Sequence, residues 1–202
     1  MTSDELFRIL IVLTLGVSLS ISGYYRYQAG KHGGRLDPGG NRMLLILRIA
    51  AIAVLVPLIG FLIDTDSMNW ARYRSPIWLR WVGFALTTIS IPGLYWLFST
   101  IGKNISPTHT TREAHQLITV GPYRYVRHPL YTVGFLIFLG IGLMASMWWF
   151  LIGLLILLAA LIWRTGKEED NLLREFGEEY QAYRQRTGRY FPRFGRRVSA
   201  IR

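Results

Sequence analysis

A succession of apolar runs, each long enough to cross a bilayer, constrains this chain more than any other feature. A crossing helix needs roughly 20 mostly apolar residues to traverse ~30 Å of hydrocarbon. Residues 6–25, 43–63 and 77–98 each meet that length. Residues 130–163 form a run of about 34, too long for one crossing and just sufficient for two short ones. Ala145, Ser146 and Met147 lie at its middle, with Trp148 and Trp149 beside them. Small residues followed by interfacial aromatics predict a tight turn there. The alternative, one continuous tilted helix of about 50 Å, exceeds what tilt ordinarily accommodates. The expected fold is all-α and polytopic. It has about five transmembrane helices, the last two a helical hairpin, and a cytosolic C-terminal tail of amphipathic helix.

Charge then sets the orientation. The 202-residue chain is 51% hydrophobic yet carries a net charge of +11. A nucleic-acid binder can be that basic, but it does not carry such apolar runs. Basic flanks on apolar runs describe an integral membrane protein, with the bilayer as its partner and no nucleic acid. There is no cysteine, hence no disulfide framework and no Cys-based metal site, and no metal site is expected. The first run is preceded by Asp4 and Glu5 rather than a basic leader, so it reads as a retained helix, not a signal peptide. Lys and Arg concentrate in residues 26–42, in residues 99–129 and in the tail, where ten follow from Arg164 onward. The opposite side has Arg8, Arg72, Arg74 and Arg80, diluted by Asp4, Glu5, Asp64 and Asp66. The positive-inside rule therefore places the C-terminus in the cytosol and both polar segments on that side. The membrane is the plasma or inner membrane for a prokaryotic chain and the endoplasmic reticulum for a eukaryotic one. Two regions follow: three N-terminal helices over 1–98, and a second region over 99–202 made of a polar loop, the hairpin and the tail.

Two polar stretches frame the hairpin. The first, GPYRYVRHPLYTVG over 121–134, crowds Arg124, Arg127, His128 and three tyrosines ahead of an apolar run. Gly121-Pro122 predicts a turn, and His128-Pro129 the start of a helix with proline in its first turn. The free N–H groups of such a turn suit an anion or a polar ligand edge, and the tyrosines suit a planar or cationic ligand. An interfacial aromatic belt with snorkelling arginines accounts for the same tyrosines and arginines, though it has no need of His128. The second stretch follows Trp163. Arg164 and Glu168 are an i,i+4 pair if the last helix runs past the membrane. Gly177 reads as that helix's stop, and a second short helix ends near Thr187-Gly188. A basic helix resting on anionic lipid explains the tail's charge. It does not explain Glu168, Glu169 and Asp170 at the membrane exit, which need a cationic partner.

The pair of stretches HQLITVGPYRYVRHPLYTVG and RTGKEEDNLLREFGEEYQAYRQRTGRYFP, separated by a two-helix hairpin, resembles the isoprenylcysteine carboxyl methyltransferase family and its prokaryotic relatives. The resemblance covers roughly residues 100–193. It implies a membrane-embedded, S-adenosylmethionine-dependent methyltransferase with a cytosolic cofactor pocket. By that resemblance His115, Gln116, Leu117, Ile118, Tyr123, His128, Pro129, Leu130, Tyr131 and Glu168 bind the cofactor, and Arg164 contacts the substrate. Where related sequences often have proline between the arginine and the acidic pair, this chain has Thr165-Gly166.

Methyl transfer from a sulfonium to a carboxylate needs no general base, because the carboxylate is already ionised at neutral pH. The expected acceptor is a lipophilic small molecule or lipidated partner bearing a carboxylate, prenylcysteine-like in kind. Three other readings stand beside it. One is a membrane NADPH-dependent reductase of the sterol-reductase type, whose C-terminal region looks similar. A phospholipid-amine methyltransferase would share the cofactor but not the acceptor. The third, a basic-tailed scaffold without activity, leaves RHP and the paired glutamates unexplained.

Overall fold

The protein is described by a computed structural model, which describes residues 2–30, 41–101 and 117–193. Among these residues the architecture is all-helical: α1 (Ser3–Gly30), α2 (Asn41–Ile63), α3 (Ile77–Ile101), α4 (Pro129–Ala145) and α5 (Trp148–Arg186). Short 3-10 turns occupy Asn69–Ala71 and Gly121–Arg124. Helices α1, α3 and α5 are long and apolar enough to cross a membrane; α4, and α2 over Ala51–Ile63, are shorter apolar helices. The expected turn at 145–147 is present. Ser146 caps α4 in the left-handed region with φ 54°, and its N–H and that of Met147 return to Leu143 and Gly142 carbonyls. That geometry satisfies the last carbonyls of α4 and reverses the chain into α5, making the hairpin.

Buried apolar side chains from all five helices and from the loops at one end form the core. Phe7 and Ile11 of α1, Phe61 of α2, Leu97 of α3 and Ile141 and Met144 of α4 meet there without exposure. Large apolar side chains such as Leu19, Ile63, Ile89 and Ile156 face outward, as a hydrocarbon solvent permits. Glycine sets the closest approach: a Cβ on Gly83 would lie 2.6 Å from the Gly140 carbonyl oxygen, so α3 and α4 pack backbone to backbone. In lipid, where water drives no apolar burial, such small-residue seams supply the contact.

The helices alternate, which brings the polar segments into two groups. At one end, Asp4 Oδ1 accepts from Arg72 at 2.7 Å and from Arg80 at 2.6 Å. Arg80 also donates to the Met144 carbonyl at 2.7 Å, and Ser75 pairs with Ser146. The start of α1, the α2–α3 connection and the α4–α5 turn therefore share that end. At the other end, Tyr25 near the end of α1 stacks on Phe98 near the end of α3. The start of α4 and the extension of α5 lie there as well.

Candidate functional site

The first wall of the site is the entry to α4. Gly121 holds φ 60°, and a Cβ there would collide with the Thr100 side chain at the end of α3, so the turn demands glycine. The 3-10 turn then delivers Val126, Arg127 and His128 alongside the segment after α5. Arg127 N–H donates to the Gly188 carbonyl at 2.8 Å, His128 N–H to the Arg189 carbonyl at 3.0 Å, and Gly188 N–H to the Tyr125 carbonyl at 3.2 Å. Val126 and Gly188 thereby form a parallel bridge. His128 caps α4 and Pro129 occupies its first position, as their sequence order predicts.

The second wall is α5 beyond the membrane run. The helix continues unbroken past Trp163 until Gly177, where φ 52° and ψ −123° bend it before the Tyr180–Tyr183 turn. Continuity through 164–168 puts Arg164 and Glu168 on one face, and Arg164 Nε donates to Glu168 Oε1 at 2.9 Å. The Tyr131 hydroxyl donates to the same carboxylate, at 2.8 Å to Oε1 and 3.0 Å to Oε2. His128 Nδ1 lies 3.7 Å from Glu168 Oε2, and its ring stacks on Tyr131 with centroids 5.5 Å apart and planes 5° from parallel. Glu168 is only 7% exposed, whereas the Arg164 side chain keeps 29%. The result is a buried carboxylate beside two stacked aromatic rings, with the partly exposed Arg164 as its ion-pair partner.

The adjacent carboxylate does a different job. Glu169, 2% exposed, accepts from Arg127 Nε at 2.9 Å, from Arg189 Nη2 at 2.5 Å and from Arg189 Nε at 3.1 Å. Arg127 also donates to the carbonyls of Arg184 and Thr187. Burial by itself would raise the Glu169 carboxyl, but contacts from His128, Arg189 and Arg127 outweigh it and hold the group well below the usual carboxylate range. Its charge is consumed in fastening the loop, α5 and the tail together. The cationic partners that the acidic pair requires are therefore Arg164 for one member and Arg127 with Arg189 for the other.

Of the residues singled out from the sequence, His128, Tyr131, Arg164 and Glu168 come into direct contact, with Pro129 buried beneath them. Tyr123 stands one layer away: its carbonyl accepts from the Tyr183 hydroxyl at 2.7 Å, and burial pushes its own phenol up to about 12. Leu117 and Ile118 are half-buried. Leu130 is turned outward, 37% exposed, and takes no part in the polar cluster. His115 and Gln116 lie outside the described residues. Sequence reading missed Thr165, Arg189 and Tyr190. Thr165 is fully buried in mid-α5, just past the apolar run, where it accepts a hydrogen bond from the Tyr190 hydroxyl at 2.8 Å. The available signal was the run GRYFP after the second tail helix, which places an arginine and an aromatic in a turn with no apolar face to serve.

Comparison with known proteins agrees with this arrangement in its location on the chain. Residues 78–179, from α3 through the bend in α5, match the phospholipid methyltransferase family. The nickel-cobalt-cadmium resistance protein NccN of Alcaligenes xylosoxydans xylosoxydans is 31% identical over 149 residues, 73% of this chain and 63% of that protein. The cobalt-zinc-cadmium resistance protein CzcN of Cupriavidus metallidurans is 31% identical over 114 residues, 56% of this chain and 52% of that protein. The chain thus spans less than two thirds of the length of either relative.

Proposed function

Because the chain belongs to the phospholipid methyltransferase family, one of the isoprenylcysteine carboxyl methyltransferase-like membrane enzymes, we propose that it moves a methyl group from S-adenosylmethionine to a lipophilic acceptor held in the bilayer. The observation that carries the reading is the Glu168 carboxylate, buried beside the stacked rings of His128 and Tyr131 with Arg164 as its ion-pair partner. When bound, S-adenosylmethionine supplies an electrophilic methyl on a sulfonium. Glu168 is suited to the ammonium of its amino-acid portion, because a buried carboxylate gains most from a cationic partner. The ring faces of His128 and Tyr131 suit a planar or cationic group. Tyr123, Leu117 and Ile118 extend that cradle along the loop, and His115 and Gln116 are assigned to it on sequence resemblance alone.

Arg164 is the residue we assign to the acceptor. With the cofactor's ammonium held by Glu168, the Arg164 guanidinium would be available to take a carboxylate as a fork. A carboxylate acceptor arrives ionised and needs no base. The work left to the protein is alignment and exclusion of water, which burial of the cluster supports. We place the site on the cytosolic side, where the cofactor is made available, with the acceptor's apolar part in the membrane. The names of the two relatives describe resistance to metals, a phenotype rather than a reaction.

A second reading, methylation of a phospholipid amine, is favoured by the family's description. It would need a proton acceptor at the site and gives Arg164 no evident task. One experiment separates the readings. Purified protein in detergent is titrated with S-adenosylmethionine and, separately, with NADPH. It is then supplied with methyl-labelled cofactor and membrane lipid extract. The proposal expects binding of the sulfonium and a labelled product whose methyl is released by mild base, as an ester's is. A base-stable label would move the assignment to the amine. Binding of NADPH alone would overturn methyl transfer altogether.

A further inference from the structure

We propose that Tyr190, in the short segment after α5, is a positioning residue that ties α4 to α5 across the cofactor cradle through its hydrogen bond to Thr165. This rests on the methyl-transfer reading for what the cradle holds, and on the geometry for the tie itself.

Three contacts converge on this one residue. Its carbonyl accepts from Thr132 Oγ1 of α4 at 2.8 Å. Its hydroxyl meets Thr165 Oγ1 of α5 at 2.8 Å. Its ring packs on His128 with centroids 6.0 Å apart and an interplanar angle of 46°. The direction of the hydroxyl contact is decided by the neighbours. Thr165 commits its own O–H to the Leu161 carbonyl at 2.7 Å, and a hydroxyl has only one hydrogen, so Thr165 accepts and Tyr190 donates. Thr165 lies beside Arg164 and one turn before Glu168, so the bond fixes the segment of α5 that carries both charged groups. The main chain before Tyr190 is already held by the loop, through the Arg189 carbonyl and the His128 N–H at 3.0 Å. Tyr190 therefore joins Tyr131, which stacks on His128 and donates to Glu168, in holding the ring of His128 at its distance from that carboxylate.

The arrangement explains why a hydroxyl is placed there and not a phenylalanine. A plain ring would keep the contact with His128 but leave the buried Thr165 oxygen without its donor. It would also remove one of the ties between α5 and the α4 entry, beside Tyr131–Glu168 and Arg127–Glu169. Displacements of about 1 Å are enough to cost a transfer reaction much of its rate.

The test uses the full chain in detergent, as wild type, Tyr190→Phe, Thr165→Val and the double variant. Hydrogen exchange of residues 125–131 is measured without ligand, together with calorimetric titration by S-adenosylmethionine and thermal melting. Each single variant is expected to speed exchange at 125–131 and to weaken cofactor binding about threefold to tenfold. Melting should fall by no more than about 4 °C, and the double variant should be no worse than either single one, because both remove the same bond. Wild-type exchange and affinity in both single variants would overturn the inference. So would losses that multiply in the double variant. If the wild type itself binds no S-adenosylmethionine, the methyl-transfer reading falls, and exchange alone decides the tie: unchanged exchange at 125–131 sinks it, and faster exchange sustains it.

Discussion

Glu168 and Glu169 are neighbours in sequence, nearly equal in burial and differently partnered. The difference lies in what surrounds each. Both oxygens of Glu169 are taken by Arg127 and Arg189, which anchor backbone segments of their own. Glu168 is met by the Tyr131 phenol and by Arg164, a partner that keeps 29% of its side chain exposed. Arg164 and Glu168 therefore separate under mutation. On the proposed reading, Glu168→Ala should weaken S-adenosylmethionine binding about tenfold to hundredfold, the worth of a charge-assisted contact of roughly 1.5–3 kcal/mol. Arg164→Ala should leave cofactor affinity nearly intact and abolish turnover. Calorimetric titration of both variants beside their melting temperatures decides the matter. Equal loss of cofactor in both, or earlier melting with normal binding in both, removes the division of roles.

At the scale of the element, the segment from Thr187 to Tyr190 behaves as part of the site although it lies beyond the last helix. It has three backbone hydrogen bonds to the α4 entry and no apolar face, and the Glu169 cluster adds side-chain ties through Arg127 and Arg189. That cluster has a pH signature. The folded-state pKa of Glu169 is lowered from an ordinary 4.5, so its contribution to stability is complete above about 4.5. It declines as the pH falls below that value and vanishes only beneath the folded-state pKa. Melting temperatures measured from pH 7 to pH 3 should fall more steeply below pH 4.5 for the wild type than for Glu169→Gln. The variant should also melt earlier than the wild type at neutral pH, where the charge is in use. Parallel curves for the two proteins would remove Glu169 from its fastening role.

Over the whole molecule, alternation of the helices puts the two motifs at one end of the bundle and the Asp4–Arg72–Arg80 cluster at the other. The positive-inside expectation from the Lys and Arg distribution is that the motif end faces the cytosol. Reporter fusions after residues 35, 110 and 200 should all report a cytosolic position, and one in the 145–147 turn an external one. An external C-terminus would reverse the orientation and place the cofactor cradle on the wrong side for its supply.

Apolar run length, charge asymmetry and turn residues determined the helical class, the hairpin reversal at Ser146 and the stop at Gly177, because these depend on solvent and on local backbone energetics. The i,i+4 spacing likewise determined that Arg164 and Glu168 share a face. Only the tertiary structure decided that Glu169 is the glutamate held by Arg127 and Arg189, because that depends on cations from segments 42 and 20 residues away. It also decided that Leu130, inside the motif, turns outward, since a single helical position in a short run fixes no direction until its neighbours pack. The tie between Tyr190 and Thr165 was invisible in one dimension for the same reason: a hydrogen bond across 25 residues leaves no periodicity in the sequence.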